Sequence, residues 1–326
     1  MQCPDPLTHP SRRALLAALM GGVALSAGHT AHGASDWPGD GIKVLLAYPP
    51  GGVSDQTMRA LARHMAKQLK VPVVVENRPG ASGTLALDAV RRAAPDGRTL
   101  AFSAATSVGL MWADKVRKKQ GAATASRPPV LPVAGVMRTP ILIVGTKAVT
   151  GDTLADVLAH ARQAPGALRW ATTGEGTTGH TVLRRVAQQA GVPIVHIPYK
   201  GGGQQIVDAL GGQFEVLSTN VAPQQLQALR DGHLKALAVG APQRLPVLPD
   251  VPTLAELGFA RANLDSLFGL FSPLDTPAHI VQAIHRSVTH ALNEPEMRGR
   301  LLAADITPFT GTADAFQQAV LRELQR

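Results

Sequence analysis

The sequence predicts an α/β protein made of two units, each with a mainly parallel β-sheet flanked by helices. The first observation is a regular alternation of short β-branched apolar segments with longer segments whose apolar residues recur at helical spacing. Such alternation is typical of parallel strands joined by right-handed helical crossovers. The second observation is size, because 326 residues, 45% of them hydrophobic, are enough for two domains with separate cores.

The first unit takes its elements from both ends of the chain. Its first strand is followed by a helix that carries Met58, Leu61 and Met65 on one face. Two further strands then enclose a second helix, and the end of the chain adds one strand and three helices. The predicted strands are 42–47, 71–75, 98–103 and 267–271, and the predicted helices are 55–69, 83–94, 278–292, 294–303 and 313–325.

The middle of the chain repeats this alternation and forms the second unit. Its first helix carries Leu154, Val157 and Leu158 on one face. The predicted strands are 141–144, 168–172, 192–197, 214–219 and 234–239, and the predicted helices are 153–163, 178–190, 204–210 and 223–230. Residues 111–130 are basic, then small and polar, then proline-rich, and this composition predicts a loop or a linker.

These elements divide the chain into three parts. We expect an export signal at 1–34, a first domain made of 35–139 with 241–326, and a second domain at 140–240. A proline-rich segment, 240–259, would carry the chain back to the first domain. Because the chain crosses between the domains twice, the two crossings are expected to act as a pair of hinges.

The N-terminus has the features of a secretory signal peptide. Arg12 and Arg13 supply positive charge, residues 14–27 are apolar and small, and Ala31 and Gly33 suit a cleavage site. The paired arginines also allow a twin-arginine route, which ranks below ordinary secretion. Cys3 precedes the apolar segment, so the mature protein would contain no cysteine. We therefore expect a soluble, periplasmic protein after cleavage.

Charge and metal-ligand patterns exclude several functions. The formal net charge is +9, but no basic stripe interleaved with aromatic residues indicates nucleic-acid binding. Such a charge suits a protein that binds small anions, and it equally suits simple solubility. The 11 histidines are scattered, without an H-E-x-x-H motif or a carboxylate-rich cluster, so no metal site and no cofactor is predicted.

The loops after the predicted strands are rich in Gly, Ser, Thr and Asn. In a parallel sheet the carboxyl ends of the strands share one edge, where ligands bind. Several of these loops lead into helix N-termini, whose free N–H groups favour an anion. A single loop of this kind is as easily a tight turn, with Ser54 or Asp55 capping the helix. Several on one edge favour a binding cleft; they read "PPGGVSD", "RPGASG", "AATS", "TGEGTTGH", "YKGGG" and "TNVAP".

Two features of the 173–180 loop invite an enzymatic interpretation. "GEGTTG" at 174–179 matches a dinucleotide-binding pattern, but no acidic residue follows about 20 residues later, although Lys200 could imitate a 2′-phosphate partner. His180 would need a nucleophile and an orienting acid to serve a hydrolase, and no G-x-S-x-G motif is present. We interpret His180 as a hydrogen-bond donor to a ligand, with a purely structural role as the alternative.

The ordered set of motifs resembles the Bug family, the extracytoplasmic solute receptors of tripartite tricarboxylate transporters. The resemblance covers most of the mature chain; it rests on "WPGDGIKVLLAYPPGGVSD", "VVVENRPGASGTLALDAVRRAAPDGRTL", "RWATTGEGTTGH", "VPIVHIPYKGGGQQIVDALGGQFEVLSTN", "LKALAVGAPQRLPVLPDVPTLAELGF" and "FGLFSPLDTPAHIV". It implies a two-domain periplasmic-binding-protein fold, Venus flytrap and type II-like, without catalysis. It also implies a monomer that binds a small carboxylate and works with transporter membrane subunits or a membrane sensor.

The resemblance also implies which residues contact the ligand. In the family, backbone N–H groups of the proline-glycine loop hold one carboxylate, partly through water. Carried over to this chain, the ligand-binding residues of the first domain are Pro50, Gly51, Gly52, Ser54, Thr106 and Ser107. Those of the second domain are Thr172, Gly176, Thr177, Thr178, His180, Tyr199 and Asn220.

The chain departs from the family pattern at two places. Residues 109–130 replace a segment that is usually aromatic and aspartate-rich, which affects the cleft wall near Thr106. The pair Thr219-Asn220 stands where the family often has Asp-Asn, so a partner for a ligand amine is missing. The alternative function is a periplasmic hydrolase or nucleotide-dependent oxidoreductase on a similar scaffold.

Overall fold

The computed structural model describes residues 37–118 and 128–324 of the chain. The export signal predicted at 1–34 lies outside these ranges. The first strands and helices follow the predicted β-α-β-α-β order closely. They are β1 (Ile42–Leu46), α1 (Val53–Leu69), β2 (Val73–Asn77), α2 (Thr84–Arg91), β3 (Thr99–Ala104), α3 (Ala105–Lys118) and the long β4 (Leu131–Gly145).

The remaining elements also match the predicted order, apart from the short strand β10, which was not predicted. The middle of the chain contains α4 (Leu154–Gln163), β5 (Arg169–Thr172), α5 (Thr178–Ala190), β6 (Val195–Pro198), α6 (Gly202–Leu210), β7 (Val216–Asn220), α7 (Pro223–Arg230) and β8 (Lys235–Gly240). The last part contains β9 (Asp265–Ser272), α8 (Ala278–Asn293), α9 (Pro295–Leu302), β10 (Thr307–Pro308) and α10 (Ala313–Leu324).

Within the described ranges the strands form one ten-stranded sheet with the order β2-β1-β3-β9-β4-β7-β5-β6, and β8 and β10 pair with β4 beside this path. β1 lies parallel to β2 and β3, and β5 lies parallel to β6 and β7. β4 runs antiparallel to β9 over 131–140 and to β7 and β8 over 141–145. The sheet therefore has two parallel groups of strands, as predicted, joined by the two antiparallel strands β9 and β4.

Separate apolar clusters stabilise the two groups of strands. Beside β1 and β3, Phe271 and Phe316 are fully buried, with ring centroids 5.6 Å apart. Trp170 on β5 is fully buried in the cluster under α4 and α5. Phe214 fills a third cluster, under α6 and α7 on the other face of the second group. These cores anchor the strands and leave their carboxyl ends free to carry loops.

The interpretation of 111–130 as a loop or linker is wrong for its first part. Residues 111–118 continue helix α3, and Met111 is buried against the first core together with Ala105 and Val108. These apolar residues recur every three positions, so one helical face is buried although the segment is rich in lysine and arginine. Residues 119–127 lie outside the described ranges.

Strand β4 begins ten residues before the predicted start at 141. Its added part pairs with β9 through residues 131–140, which include Pro132 and Pro140. Prolines lower the strand propensity of a segment when it is considered alone. Tertiary pairing with β9 overrides that local preference. Among the described residues, no helix has both the length and the apolar character needed to cross a membrane.

Candidate ligand-binding site

A cleft of about 330 Å³ opens at the carboxyl ends of the parallel strands. Its first wall is made of the loop after β1 and the starts of α1 and α3, and its second wall is made of the loops after β5, β6 and β7. Nine of the thirteen predicted ligand-binding residues line it; they are Pro50, Gly51, Gly52, Ser54, Thr106, Ser107, Thr177, Thr178 and Asn220. The cleft therefore lies where the sequence pattern placed a site.

Within residues 37–118 and 128–324, five helices begin at this cleft. In the first wall they are α1 and α3, and in the second wall they are α5, α6 and α7. The first N–H groups of a helix have no acceptor within the helix, and the helix dipole gives its N-terminus partial positive charge. In the part of the chain that the structure describes, no acidic, basic or histidine side chain lines the cleft. Main-chain dipoles therefore set the electrostatic character of the site, which favours an anion.

Asp55 stabilises the proline-glycine loop, residues 49–52, through a hydrogen bond to its backbone. Helix α1 begins at Val53, two residues earlier than predicted, so neither Ser54 nor Asp55 is the N-cap; Gly52 is, and it has no capping side chain. From its position in the first turn, the carboxylate of Asp55 accepts a hydrogen bond from Gly51 N–H at 3.0 Å. The Gly51 N–H is thus already paired. The first N–H groups of α1 have no acceptor within the helix, so they are the ones available to an anion.

Asp55 belongs to a small polar network with Arg59 and Asn77. Its Oδ1 accepts hydrogen bonds from Arg59 Nε at 3.0 Å and from Asn77 Nδ2 at 2.8 Å. Asn77 Nδ2 also donates to Tyr48 O, so the network ties α1 to both ends of the loop after β1. Burial raises the pKa of Asp55, but the hydrogen bonds from Arg59, Asn77 and Gly51 outweigh burial and lower it. The ionised carboxylate therefore positions the first wall.

The inner end of the first wall is aromatic. Tyr48 Oη accepts a hydrogen bond from Ala104 N–H at 3.0 Å, and its ring edge faces Phe268, with centroids 5.7 Å apart. Burial raises the pKa of Tyr48, so the phenol stays neutral. Ser107 Oγ donates to Ser82 O at 2.7 Å and orients the start of α3. These contacts give the cleft an apolar floor beneath its polar rim.

The two walls approach each other closely at two glycines, Gly201 and Gly176. A Cβ atom at Gly201 would lie 2.7 Å from Pro49 Cδ, and one at Gly176 would lie 2.1 Å from Leu110 Cδ2. Gly201 has φ +148° and Gly176 has φ +70°, and residues other than glycine adopt such backbone angles only at a cost in free energy. The second-wall loops therefore need glycine both for their backbone and for their contact with the first wall.

Four predicted ligand-binding residues do not line the cleft. Thr172 is fully buried, and its Oγ1 bonds to Gly174 O at 3.1 Å. Gly176 donates its N–H to His180 Nδ1 at 2.8 Å. Tyr199 Oη donates to Asp208 Oδ2 at 2.7 Å, and burial with this neighbouring carboxylate raises the pKa of Tyr199 to about 12. These residues shape the loops behind the second wall.

His180 stacks on His196 behind the second wall, with ring centroids 4.2 Å apart and planes 14° from parallel. Its Nδ1 accepts a hydrogen bond from the Gly176 N–H, so in this structure the ring pairs with the protein backbone. An imidazolium ring has no free lone pair, so this bond requires the neutral ring. Burial, with a smaller effect of His196 and Arg184, lowers the pKa of His180 to about 4, against an opposing effect of Glu175.

The stability of the second wall should depend on pH through His180. A histidine in the unfolded chain has a pKa near 6.5, so between about pH 6.5 and 4 the unfolded state binds the proton first. The contribution of His180 to the free energy of unfolding should be fully present above this window and should be lost as the pH is lowered through it. His180→Asn keeps an acceptor close to Gly176 and does not titrate, so its urea-unfolding free energy should fall less between pH 7 and 4.5. His279→Asn, at an exposed position of α8, is the control, and equal slopes for wild type and H180N would contradict this role.

Several cleft residues were not predicted. Ser266 and Phe268 come from β9, and Gln224 and Gln225 come from the first turn of α7. The α7 pair could have been found with the same rule that selected the other helix N-termini, because Pro223 marks a helix start. The β9 residues carry no such signal, since their strand is antiparallel and approaches the cleft only through the folded sheet.

Comparison with known proteins places this geometry in a family. The model of the tripartite tricarboxylate transporter family receptor matches residues 57–326. The chain is 31% identical over 315 residues to BugT of Bordetella pertussis, covering 95% of this chain and 94% of that protein.

Two solved structures from Rhodopseudomonas palustris are also similar. MatC with bound malate is 28% identical with a TM-score of 0.79, covering 89% of this chain and 98% of that one. A second protein with adipate is 27% identical with a TM-score of 0.78, covering 89% and 96%. The resemblance inferred from the motifs and the two-domain periplasmic-binding-protein fold are thereby confirmed. The chain belongs to the tripartite tricarboxylate transporter receptor family, whose members are solute-binding receptors of the periplasm.

Proposed function

We propose that this receptor binds a small carboxylate in the cleft and holds one carboxylate group at the first turn of α1. The observation that carries the proposal is the meeting of five helix N-termini at a cleft whose described lining includes no charged side chain. An anion there gains hydrogen bonds and dipole attraction from both walls. Nine of the ligand-contact residues expected from the family resemblance line the same cleft, which supports them as contacts.

The similar structures support a carboxylate ligand. MatC was solved with malate and the second R. palustris protein with adipate, and both ligands are carboxylates. The alternative of a hydrolase or an oxidoreductase gains no support from these receptors. By the same analogy, we propose that the ligand-loaded protein is recognised by transporter membrane subunits or by a membrane sensor.

We also propose the domain division 35–139 with 241–326 and 140–240. Strand β4 changes partners from β9 to β7 and β8 at Pro140 and Ile141, which supports a boundary there. The cleft then lies between the domains. Hinge closure at such a boundary is the usual way in which two-domain receptors enclose a ligand.

Titration calorimetry with matched acids and amides tests the ligand class. The panel contains mono-, di- and tricarboxylates, their amides, and a dinucleotide. We expect each amide to bind at least about tenfold more weakly than its acid, because a charge-assisted hydrogen bond and the attraction of the helix end are both lost. Equal binding of acids and amides, or tightest binding of the dinucleotide, would contradict the proposal.

We propose that the mature protein is periplasmic and begins between residues 31 and 35. The positive, apolar and small-residue segments at the N-terminus support export and cleavage there. Fractionation of cells that express the full chain, followed by N-terminal sequencing, should find the shortened protein in the periplasm. An uncleaved chain in the cytoplasm is the contrary result. Arg12→Gln with Arg13→Gln should slow export without changing the mature protein.

A further inference from the structure

Two amide side chains line the cleft at the corner between β7 and α7. Asn220 ends β7 and Gln225 lies in the first turn of α7. Asn220 Oδ1 and Gln225 Oε1 are both buried oxygens without a hydrogen-bond partner in the described structure. Gln225 is only 6% exposed, and its Nε2 donates to Thr219 Oγ1 at 3.4 Å. The corner thus concentrates unpaired acceptors at the edge of a site otherwise rich in N–H donors.

A buried acceptor without a donor costs free energy, so a ligand that supplies the donor gains more than an ordinary contact. The last torsion of Asn and Gln side chains is broad, so both amides can turn their oxygens toward a ligand with little strain. The unpaired groups at this corner are acceptors, and a second ionised carboxylate cannot pair with them because it carries no donor. An ammonium group would find acceptors, but no carboxylate side chain lines the described cleft to balance its charge.

We propose that Asn220 and Gln225 select carboxylates that also carry a hydroxyl group. The hydroxyl donates to the amide oxygens of this corner while the carboxylate is held at a helix N-terminus. The inference rests on the proposed carboxylate-binding function. It makes the pair a specificity determinant, distinct from the backbone groups that hold the anion.

Pairs of acids that differ by one group test this selection. The probes are malate, succinate and aspartate, which carry a hydroxyl, a hydrogen and an ammonium group on the same carbon chain, and lactate with propionate as a shorter pair. We expect the hydroxy acid of each pair to bind at least about tenfold more tightly than the unsubstituted acid, with aspartate weaker than malate.

Substitutions then assign the preference to the corner. Gln225→Leu and Asn220→Leu should each reduce the hydroxyl preference about tenfold, measured as the ratio of malate to succinate affinity and of lactate to propionate affinity within the same variant. Gln205→Leu is the matched control: Gln205 is also fully buried with an unpartnered Oε1 and contacts Ser218, but it does not line the cleft. Its variant should keep the preference even if it is less stable.

The outcomes separate the two proposals. If neither these acids nor any member of the mono-, di- and tricarboxylate panel binds, the carboxylate-receptor function itself is wrong, and if only other members of the panel bind, the hydroxyl selection is wrong. If the acids bind but the hydroxyl gives no advantage, or if the advantage survives both substitutions, the selection proposed for Asn220 and Gln225 is wrong. A preference for succinate over malate that Gln225→Leu removes would show that this corner rejects the hydroxyl group, which also overturns the inference.

Discussion

Replacing Gly52 with serine is expected to lower the affinity for a carboxylate about 100-fold or more while the protein remains as stable as the wild type. Gly52 lines the cleft at the N-cap of α1. Its φ of −76° and ψ of 171° suit any residue, and a Cβ there would meet no atom within 4 Å. The new side chain would therefore occupy only the space proposed for the ligand.

The serine hydroxyl should also compete for the same donors as the ligand. An N-cap serine accepts a hydrogen bond from the first-turn N–H groups of its helix. The ligand would lose two charge-assisted hydrogen bonds of about 1.5–3 kcal/mol each, and the lower value already corresponds to a factor of about 100. Capping adds helix stability, so the thermal midpoint should stay the same or rise.

Two further substitutions control this experiment. Gly299→Ser adds the same group to α9, where a Cβ also meets no atom within 4 Å and which does not line the cleft, so its affinity should be unchanged. Gly51→Ser should instead cost stability, by about 1–3 kcal/mol, because Gly51 has φ +86°. Wild-type carboxylate affinity in a folded G52S protein, measured by calorimetry, would show that the ligand is not held at α1.

The fold was most predictable where local signals mark an element. Helices α5 and α7 match their predicted limits because Thr177 caps the first and Pro223 begins the second. The start of β4 could not be predicted, since its prolines are tolerated only through pairing with β9. Helix α3 was not predicted because the segment is rich in charged residues, and its apolar face is narrow, with Val108 and Met111.

In the site, as in the fold, some features follow from the order of the elements and others depend on tertiary contacts. The loops after parallel strands could be located from the order of elements alone, and those loops supply Gly52, Thr106 and Thr177 to the cleft. The direction in which each side chain points could not be predicted in this way. His180 lies in the first turn of α5 and stacks on His196, although its loop borders the cleft. The bond from Gly51 to Asp55 likewise depends on where α1 begins.

Replacing Asp55 should loosen the first wall and weaken both folding and binding. Its side chain is 7% exposed and accepts hydrogen bonds from Gly51, Arg59 and Asn77. Asp55→Ala leaves those donors unpaired, so we expect it to lower the free energy of unfolding by about 2–4 kcal/mol. Asp55→Asn keeps one acceptor oxygen and replaces the other with an NH2 group, which accepts no hydrogen bond. It should therefore cost less stability but still lower carboxylate affinity about tenfold, since the loop that positions α1 is no longer fully held.

The pH dependence distinguishes this role from simple packing. The pKa of Asp55 is lowered in the folded protein, so its contribution is complete above its ordinary pKa of 3.8 and is lost as the pH falls through the folded value. The difference in urea-unfolding free energy between wild type and D55N should therefore shrink as the pH falls below about 3.8. Asp88→Asn is the matched control, because Asp88 also pairs with arginines but lies more exposed on α2, and it should cost less than about 1 kcal/mol and leave affinity unchanged. If D55N, studied under conditions where it is fully folded, binds the carboxylate as tightly as D88N, then Asp55 stabilises the fold without positioning the site.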